Sequence, residues 1–526
     1  MVALPALSEN KWYDWAQAGA RFLMSMRNIS ISYRNTYNLA LPGFRPEVGD
    51  ILGQGKSNGF LAPGIGFGLG FVNDSYIDTA QERGWLMGAS DGVSSPATSA
   101  TTEDVQVKMS LEPITDLKVD LNMSRTHNRN KSIQYMYRDA DGFIPTTSSG
   151  SFNITTISIK TAFASGGSAS NGYYSAPFQK FRENLDHYQQ LVTERYAGIQ
   201  YPARTGRGGV YNPETDAPVN KYGPDVMIPA FLNAYTGSSS MEIFPSLMRM
   251  LPNWSMTYKG LSNLPWVRDH FKSVTLTHAY KSIYAVGSYN SYSSWVECMG
   301  AGNGLGFAQN TTTGDYQPSS MYDISSVSIN ESFAPLMGLN MTFNNNMTLK
   351  MEYRTTRVLN LSLTSAQLNE TGSKDFVIGW GYKINDFKLS SLFHSKKASA
   401  RQEARNRANN KNGNNKNGQQ GNQNNTNNNN SSRSGKNNFA HSLSMRFDFS
   451  IRSQSAIKRD IQTNLCEATS GQKAFKTSAQ LDYSMSRMAT LSIYYDRQRS
   501  QPLLSSSSYP TVTQDFGFSM KFSLTR

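Results

Sequence analysis

The sequence lacks any apolar run long enough to cross a membrane as a helix. Its longest apolar runs are short, such as Val226 to Leu232, which Pro229 interrupts, whereas a membrane-spanning helix needs about 20 apolar residues. This absence excludes a helical membrane protein. It does not exclude a membrane β-barrel, because a barrel strand needs an apolar residue only at every second position.

Cysteine is also nearly absent. Cys298 and Cys466 are the only two cysteines among 526 residues, so no metal site can be built from cysteine alone. The two thiols are either free or joined in one loop disulfide, and the sequence leaves both alternatives open. None of the six histidines has the spacing of a zinc motif, and nothing selects a nucleophile with a paired base. We therefore expect no enzyme activity and no catalytic, cofactor-binding or metal-binding residues.

Acidic residues are fewer than basic ones, 38 against 51, which gives a formal net charge of +13. An excess of this kind raises the question of a nucleic-acid or anionic-membrane partner. However, residues 395–438 contain nine basic residues and one acid, so nine minus one, or +8 of the +13, lies in a single tract. The tract is rich in Asn, Gln and Gly, which predicts a disordered, solvated loop. We expect no nucleic-acid partner.

What the sequence has in abundance is strict alternation of apolar and polar residues, which is typical of β-strands with two different faces. The alternation predicts roughly 15–19 strands, many of about 9–11 residues or longer, the length that crosses an outer membrane. The clearest segments are 105–111, 117–123, 339–343, 347–353, 376–382, 443–451, 481–485, 491–495 and 516–524. The predicted fold is therefore all-β, an antiparallel transmembrane β-barrel.

Several local features support particular predictions. Two alternating segments flank Glu112 to Asp116, which predicts a hairpin. Met347 to Leu363 keeps one phase throughout, although Thr355 and Arg357 occupy its apolar register; we predict one tall strand rather than a hidden hairpin. The connections at 344–346 and 486–488 are short, whereas others are long, a mixture typical of outer-membrane barrels.

Two segments break the alternation. Apolar residues recur at helical spacing over 177–197, which predicts an amphipathic helix, and a shorter helix is predicted near Ile228 to Ala234. Together they form a predicted helical insertion between strands at 175–237.

The glycine run Gly64 to Phe71 lacks the spacing of a dinucleotide-binding loop, and we predict a strand with one smooth glycine face.

Nine sequence segments are informative as a set, because they occur in the same order as in a known family and span nearly the whole chain. They are LPGF (Leu41 to Phe44), GWL (Gly84 to Leu86), LEPITDLKVDLNMSR (Leu111 to Arg125), FQKFREN (Phe178 to Asn184), DVMIPAFLNAYTG (Asp225 to Gly237), PNWSMTYKGLSNLP (Pro252 to Pro265), SVTLTHAYKSIYAVGSY (Ser273 to Tyr289), FAPLMGLNMTFNNNMTLKMEY (Phe333 to Tyr353) and DFGFSMKFSL (Asp515 to Leu524). Together they resemble the C-terminal region of the SprA (Sov) family, the outer-membrane translocons of the type IX secretion system of Bacteroidota.

This resemblance implies a fold and a function. Members of the family are expected to form the largest known outer-membrane barrels, of about 36 strands, located at the cell surface. Folded cargo proteins with type IX C-terminal signals pass through the lumen, and in gliding relatives these include adhesins. The implied partners are a smaller PorV-like barrel, a plug protein, the secreted cargo and outer-membrane lipid.

The predicted strands make up only about half of such a barrel, and Met1 is not followed by a signal peptide. We therefore expect residues 1–526 to be the C-terminal part of a longer barrel, with a truncated or fragmentary gene as one explanation. With the last strand ending in the periplasm, counting strands backwards places the tract 395–438 on the outer side. The alternative function is an outer-membrane receptor or nutrient-transport barrel; an outer-membrane enzyme and a soluble β-rich adhesin have less support.

Overall fold

A computed structural model of the chain describes residues 24–47, 49, 53–137, 144–300, 305–385, 387, 441–486, 488–504 and 509–523. Strands make up 53% of the described residues and helices 19%, so the prediction of a mainly antiparallel β protein is confirmed. The predicted disordered loop 395–438 lies outside the described residues. No helix in the described ranges is long and apolar enough to span a membrane.

Eighteen strands occur in the described residues. They are β1 (Met26–Ala40), β2 (Gly55–Ser57), β3 (Phe60–Ala62), β4 (Ala97–Ile114), β5 (Leu117–Ile133), β6 (Thr146–Thr155), β7 (Asn253–Tyr258), β8 (Phe271–Ser291), β9 (Gly306–Gln309), β10 (Tyr316–Ser319), β11 (Tyr322–Ile324), β12 (Ser326–Phe343), β13 (Met347–Ser362), β14 (Gln367–Asn385), β15 (Ser442–Asp460), β16 (Cys466–Ser484), β17 (Ala489–Pro502) and β18 (Thr511–Phe522). The α-helices are α1 (Ile65–Gly68), α2 (Tyr76–Glu82), α3 (Ile159–Ala162), α4 (Ala176–Tyr196), α5 (Pro224–Thr236), α6 (Pro265–His270) and α7 (Ser293–Met299).

One large antiparallel sheet dominates the fold. Twelve strands pair side by side in the order β1-β4-β5-β6-β8-β12-β13-β14-β15-β16-β17-β18, and β7 and β11 also belong to the sheet. Most neighbours in space are neighbours in sequence, because alternating strands joined by short turns pair as hairpins. Among the described residues, β1 and β18 each have one pairing partner. The described sheet is therefore open, and the closed barrel stays a prediction.

Strands β6 and β7 share one position in the sheet. β6 pairs with one half of β5, with Arg125 opposite Ile154, and β7 pairs with the other half, with Leu121 opposite Trp254. Both strands also pair with β8. The chain thus leaves the sheet in the middle of a strand and returns to continue it. The residues between the two strands, 156–252, form the helical insertion, a longer stretch than the predicted 175–237.

The predicted turns are confirmed. β4 and β5 form the predicted hairpin, with Ile114 opposite Leu117, and Asp116 adopts a positive φ of 66°. Asparagine and aspartate tolerate this left-handed conformation better than most residues, which suits them to tight turns. Met347–Ser362 is one uninterrupted strand, as the constant phase of its apolar positions predicts. The short connections at 344–346 and 486–488 join β12 to β13 and β16 to β17.

The insertion contains the two predicted helices. α4 begins after Ser175, with Pro177 in its first turn, and its apolar stripe includes the buried residues Phe178, Phe181 and Leu185. α5 is longer than predicted and is buried almost all round, from Val226 to Tyr235. The two helices pack against each other and against one face of the sheet, where they share the largest hydrophobic core with strand residues of β6, β8, β12, β13 and β14.

The predicted glycine strand is wrong. Ile65–Gly68 forms a short helical turn, and Gly64 and Gly70 have positive φ values of 99° and 79°. Positive φ values interrupt an extended strand, and glycine adopts them without steric cost. Alternation of glycines therefore marks a looped segment here.

The prediction that the Asn-rich tract lies on the outer side assumed that the last strand ends in the periplasm. Under that assumption the prediction is wrong. Asn385 lies opposite Ser442, and Ser442 lies opposite Ser484. β17 begins at the same end of the sheet as Ser484, and its Ala489 lies opposite Phe522, where β18 ends. The connection between β14 and β15 therefore leaves the sheet at the end where β18 finishes, which we call the Phe522 end. The opposite end, on the side of the helical insertion, is called the insertion end.

Candidate functional site

An apolar belt crosses every position of the large sheet on one face. Directly opposed residues in an antiparallel pair share a face, as do residues two apart in a strand. One register line runs from Met341 through Leu349, Trp380, Phe447, Ala479 and Tyr495 to Phe516. The belt consists of every second residue in 29–33, 105–111, 117–123, 254–258, 274–276, 337–343, 347–353, 376–384, 443–451, 479–483, 491–495 and 516–522.

Much of this belt is exposed. Ile31 on β1 is 71% exposed and Phe518 on β18 is 77% exposed. An apolar face of this extent is unusual for a protein surrounded only by water, and such faces mark contact with a membrane or with other proteins.

The opposite face of the same strands is polar. Its Ser, Thr, Asn and charged residues hydrogen-bond across neighbouring strands: Thr126 Oγ1 donates to Asp104 Oδ1 at 2.9 Å, and Ser110 Oγ donates to Asp120 Oδ1 at 2.5 Å. Arg452 binds both carboxylate oxygens of Asp375, at 2.9 and 3.1 Å. The sheet therefore has one apolar face and one polar face.

Toward the insertion end, the belt face changes from apolar to charged. Three arginine–glutamate pairs occupy this region, each joining neighbouring strands. Arg125 of β5 pairs with Glu103 of β4 at 2.9 Å, Arg357 of β13 with Glu331 of β12 at 2.7 Å, and Arg459 of β15 with Glu370 of β14 at 2.9 Å. These are the positions where the helical insertion covers the sheet.

The same three arginines attach the insertion to the sheet. Arg125 Nε donates to the carbonyl oxygen of Pro245 at 3.1 Å, and Arg357 Nη2 donates to Thr161 Oγ1 at 2.9 Å. Arg459 Nη2 donates to the carbonyl oxygen of Gly166 at 3.0 Å. Each guanidinium group thus divides its donors between a strand carboxylate and the insertion, which its planar, five-donor geometry allows.

Glu331 is the most buried of the three glutamates. Its Oε1 accepts hydrogen bonds from Ser158 Oγ at 2.6 Å and Tyr280 OH at 2.8 Å, while Oε2 accepts from Arg357. All four side chains are at least 90% buried. The cluster contains a serine beside a carboxylate but no histidine, and both oxygens of its carboxylate accept hydrogen bonds. Its chemistry is that of an anchor between insertion and sheet.

A second polar cluster shapes the surface of the insertion itself. Asp216 accepts hydrogen bonds from the backbone N–H of Asn212 at 2.8 Å, from Tyr201 OH at 3.0 Å and from Arg207 at 2.6 Å. The backbone hydrogen bond from Asn212 is the main cause that lowers the pKa of the Asp216 carboxyl. Burial, followed by the hydrogen bond to Asp216, raises the pKa of Tyr201 to about 12. These bonds fold the segment between α4 and α5 onto itself.

The remaining candidate groups form no reactive arrangement. No group of three or more His, Cys, Asp or Glu side chains in the described part of the chain could hold a metal ion. Cys298 is buried and Cys466 is partly buried, and both thiols are free. Burial raises the pKa of the Cys298 thiol, which makes it less reactive.

Two pentapeptides have the GxSxG spacing of a hydrolase nucleophile turn, Gly55 to Gly59 and Gly88 to Gly92. In the structure, Ser57 belongs to the hairpin of β2 and β3, and Ser90 to a 3₁₀ turn. Neither occupies the sharp strand-to-helix turn that such a nucleophile requires. In the described ranges, neither serine hydrogen-bonds to a histidine.

Comparison of the sequence with family models and with curated proteins finds no relative. No protein-family model matches the chain, and no curated protein sequence matches it significantly.

Sequence reasoning identified the alternating apolar positions but missed the arginine anchors. Arg357 stands out in the sequence because it interrupts an apolar register, and such an interruption signals a change of environment along the strand. Arg125 and Arg459 give the same signal, each in phase with the apolar residues of its own strand. Their glutamate partners lie on other strands, so the pairs themselves become visible only when the register is known.

Proposed function

We propose that this chain forms part of the wall of a protein-conducting outer-membrane channel, the translocon of a type IX secretion system. The observation that carries the proposal is the apolar belt, which continues across all twelve positions of the sheet while the opposite face stays polar. A wall between lipid and a water-filled lumen needs this division of faces.

The height of the belt agrees with an outer membrane. On β15 the belt extends from Leu443 to Ile451, which at about 3.3 Å per residue is about 26 Å along the strand. Tilting the strand as in known barrels shortens this to about 20 Å. Both values are close to the apolar band of about 25 Å on outer-membrane barrels. Aromatic residues border the band, with Tyr353 and Phe376 toward the insertion end and Phe343 and Tyr382 toward the other.

The width of the sheet supports a large barrel. Eight strands suffice to close a small barrel, yet this sheet passes twelve strand positions without the described edges meeting. Unpaired strand edges within a hydrocarbon layer cost several kcal/mol per group. In the proposed assembly, β1 and β18 therefore pair with further strands.

The choice of protein export as the transported function rests on the resemblance of nine ordered segments to the SprA family. The proposed cargo is folded protein with a type IX C-terminal signal, including cell-surface and gliding adhesins. The proposed partners are a PorV-like barrel, a plug protein and outer-membrane lipid. The proposed location is the outer membrane, and the chain is proposed to have no enzymatic role.

The deciding experiment deletes the gene and measures type IX cargo in the culture medium and on the cell surface. We expect cargo to accumulate in the periplasm, and a plasmid-borne copy to restore export. Normal cargo export in the deletion strain, with loss of uptake of one nutrient, would favour the alternative, a receptor or nutrient-transport barrel. Recovery of the protein in the soluble fraction would contradict both.

A further inference from the structure

We propose that a row of cations along one border of the apolar belt binds the phosphate groups of lipids in the adjoining leaflet. The inference rests on the proposed membrane location and adds a specific ligand to it. The row, which we call the basic rim, consists of Lys374 on β14, Lys473 on β16 and Arg497 and Arg499 on β17.

The register of the strands places all four side chains on the belt face. Lys374 lies two residues from Phe376, and Lys473 two residues from Phe475, and both aromatic residues lie on one register line through Ile451. Arg499 lies opposite Phe475. Arg497 lies two residues after the belt residue Tyr495 and therefore on the same face of β17. Each cation therefore lies beyond the last belt residue of its own strand, toward the insertion end.

These cations are free to bind an external anion. All four are exposed, and none forms an ion pair with another described residue, in contrast to Arg357 and Arg459 on neighbouring strands. The acid nearest in register on this face, Glu370, is already paired with Arg459 at 2.9 Å. The positive charge of the rim is therefore uncompensated within the described structure.

The other border of the belt has a different character. Among the described residues of β14 to β18, the belt face at the Phe522 end carries no charge. Its last positions are Ile384, Leu443, Tyr483, Ala489 and Phe522. The rim therefore belongs to one membrane surface only, and it distinguishes the two leaflets.

A cleft adjoins the rim where the insertion overhangs the sheet. It has a volume of about 400 Å³ and is lined by Phe163 and Gly166 of the insertion and by Thr355, Lys374 and Arg357 of the sheet. Arg357 is 8% exposed, and its buried Nε has no hydrogen-bond partner among the described residues. The cleft thus offers hydroxyl and cationic donors directly above the belt.

A phosphorylated lipid is the occupant whose chemistry fits this arrangement. Its acyl chains would lie against the apolar belt, and its phosphate would reach the cations and hydroxyl groups at the border. Lysine and arginine near a membrane surface each favour anionic lipid by about fivefold in affinity. A soluble anion would gain nothing from the belt, and a nucleic acid would require a broader basic surface than one row.

The test compares three forms of the protein isolated from outer membranes in its native assembly. The rim variant is K374Q/K473Q/R497Q/R499Q. The control variant removes two lysines and two arginines from the polar face: Lys383, Lys476, Arg34 and Arg446, each replaced by Gln. A charge-retaining variant, K374R/K473R/R497K/R499K, checks that the rim positions tolerate substitution.

Each form is reconstituted in vesicles of phosphatidylcholine with or without the anionic lipid phosphatidylglycerol, and in vesicles containing lipid A. Lipid retained after detergent extraction is then quantified by mass spectrometry. We expect the rim variant to retain at least about fivefold less phosphorylated anionic lipid, on the basis of one cation's contribution alone. The wild type, the control variant and the charge-retaining variant should retain equal amounts. The lipid A arm shows which phosphorylated lipid the rim prefers.

Two results would overturn the inference. Equal retention by the rim variant and the wild type, with both in the carbonate-resistant membrane fraction, would refute the rim while leaving the membrane location intact. Complete displacement of the lipid by millimolar inorganic phosphate would show a soluble-anion site instead. Absence of the wild type from the membrane fraction would refute the proposed function itself.

Discussion

At the scale of single residues, neighbouring positions on one strand have opposite environments. Ile378 belongs to the apolar belt, whereas Val377 lies on the polar face, opposite Glu352 and Ser450. Both side chains are apolar and partly exposed, so neither their hydrophobicity nor their exposure distinguishes them. Their proposed surroundings distinguish them, because Ile378 faces lipid and Val377 faces water.

We therefore predict that Ile378→Arg and Val377→Arg differ in their effect on stability. Arginine on a lipid-facing position near the bilayer midplane destabilises an outer-membrane barrel by about 2–4 kcal/mol, whereas on the lumen side it stays hydrated. Outer-membrane abundance and resistance to urea unfolding in membranes should fall for Ile378→Arg and remain nearly unchanged for Val377→Arg. Equal losses in the two variants would contradict the assignment of faces.

At the scale of elements, the insertion depends on arginines that the strands supply. Arg357 is buried and contributes bonds to Glu331 and Thr161. Arg452 also forms an ion pair across neighbouring strands, with Asp375 at 2.9 Å, but its side chain is 57% exposed. Burial should decide how much each pair contributes, because removing one partner leaves the other charge uncompensated only where water is excluded.

We predict that Arg357→Met loosens the attachment of the insertion, because it leaves Glu331 without its counter-ion at a cost of about 3–5 kcal/mol. Arg452→Met is the matched control, and loss of an exposed pair should cost at most about 1 kcal/mol. Limited trypsin digestion should cleave residues 198–222 faster in Arg357→Met than in the control. If both variants resist trypsin equally, the insertion is held by its apolar core alone.

At the scale of the whole molecule, the direction of each strand settles which connections share an end of the sheet. Asn385 and Ser442, which flank the Asn-rich tract, lie at the Phe522 end, and the amide of Phe387 donates to the carbonyl oxygen of His441 at 2.9 Å. The insertion and the basic rim lie toward the other end. If β18 ends in the periplasm, the tract between β14 and β15 also leaves the sheet on the periplasmic side.

We accordingly predict that a protease-cleavage sequence placed within residues 395–438 is protected in intact cells and becomes cleavable once the outer membrane is permeabilised. The same sequence placed between Gly206 and Gly209, in the insertion, should be cleaved in intact cells. Immunoblotting of the fragments measures both. The reverse pattern would invert the topology and move the basic rim to the periplasmic leaflet.

The sequence by itself determined the class of fold and the division of faces, because alternation with period two needs no information beyond the strand. It also determined the turns at 115–116 and 344–346 and the helix over 176–196, whose signals are local. It misjudged the glycine run at 64–70, since the alternation of its glycines did not reveal the positive φ values of Gly64 and Gly70.

Only the tertiary structure decided which residues meet across the sheet. Glu331 and Arg357, Glu370 and Arg459, and the four cations of the basic rim come from different strands, and their alignment depends on register. The end at which the Asn-rich tract leaves the sheet also follows from counting paired strands. Register is set by hydrogen bonds and packing between distant segments, so no local pattern in the chain contains it.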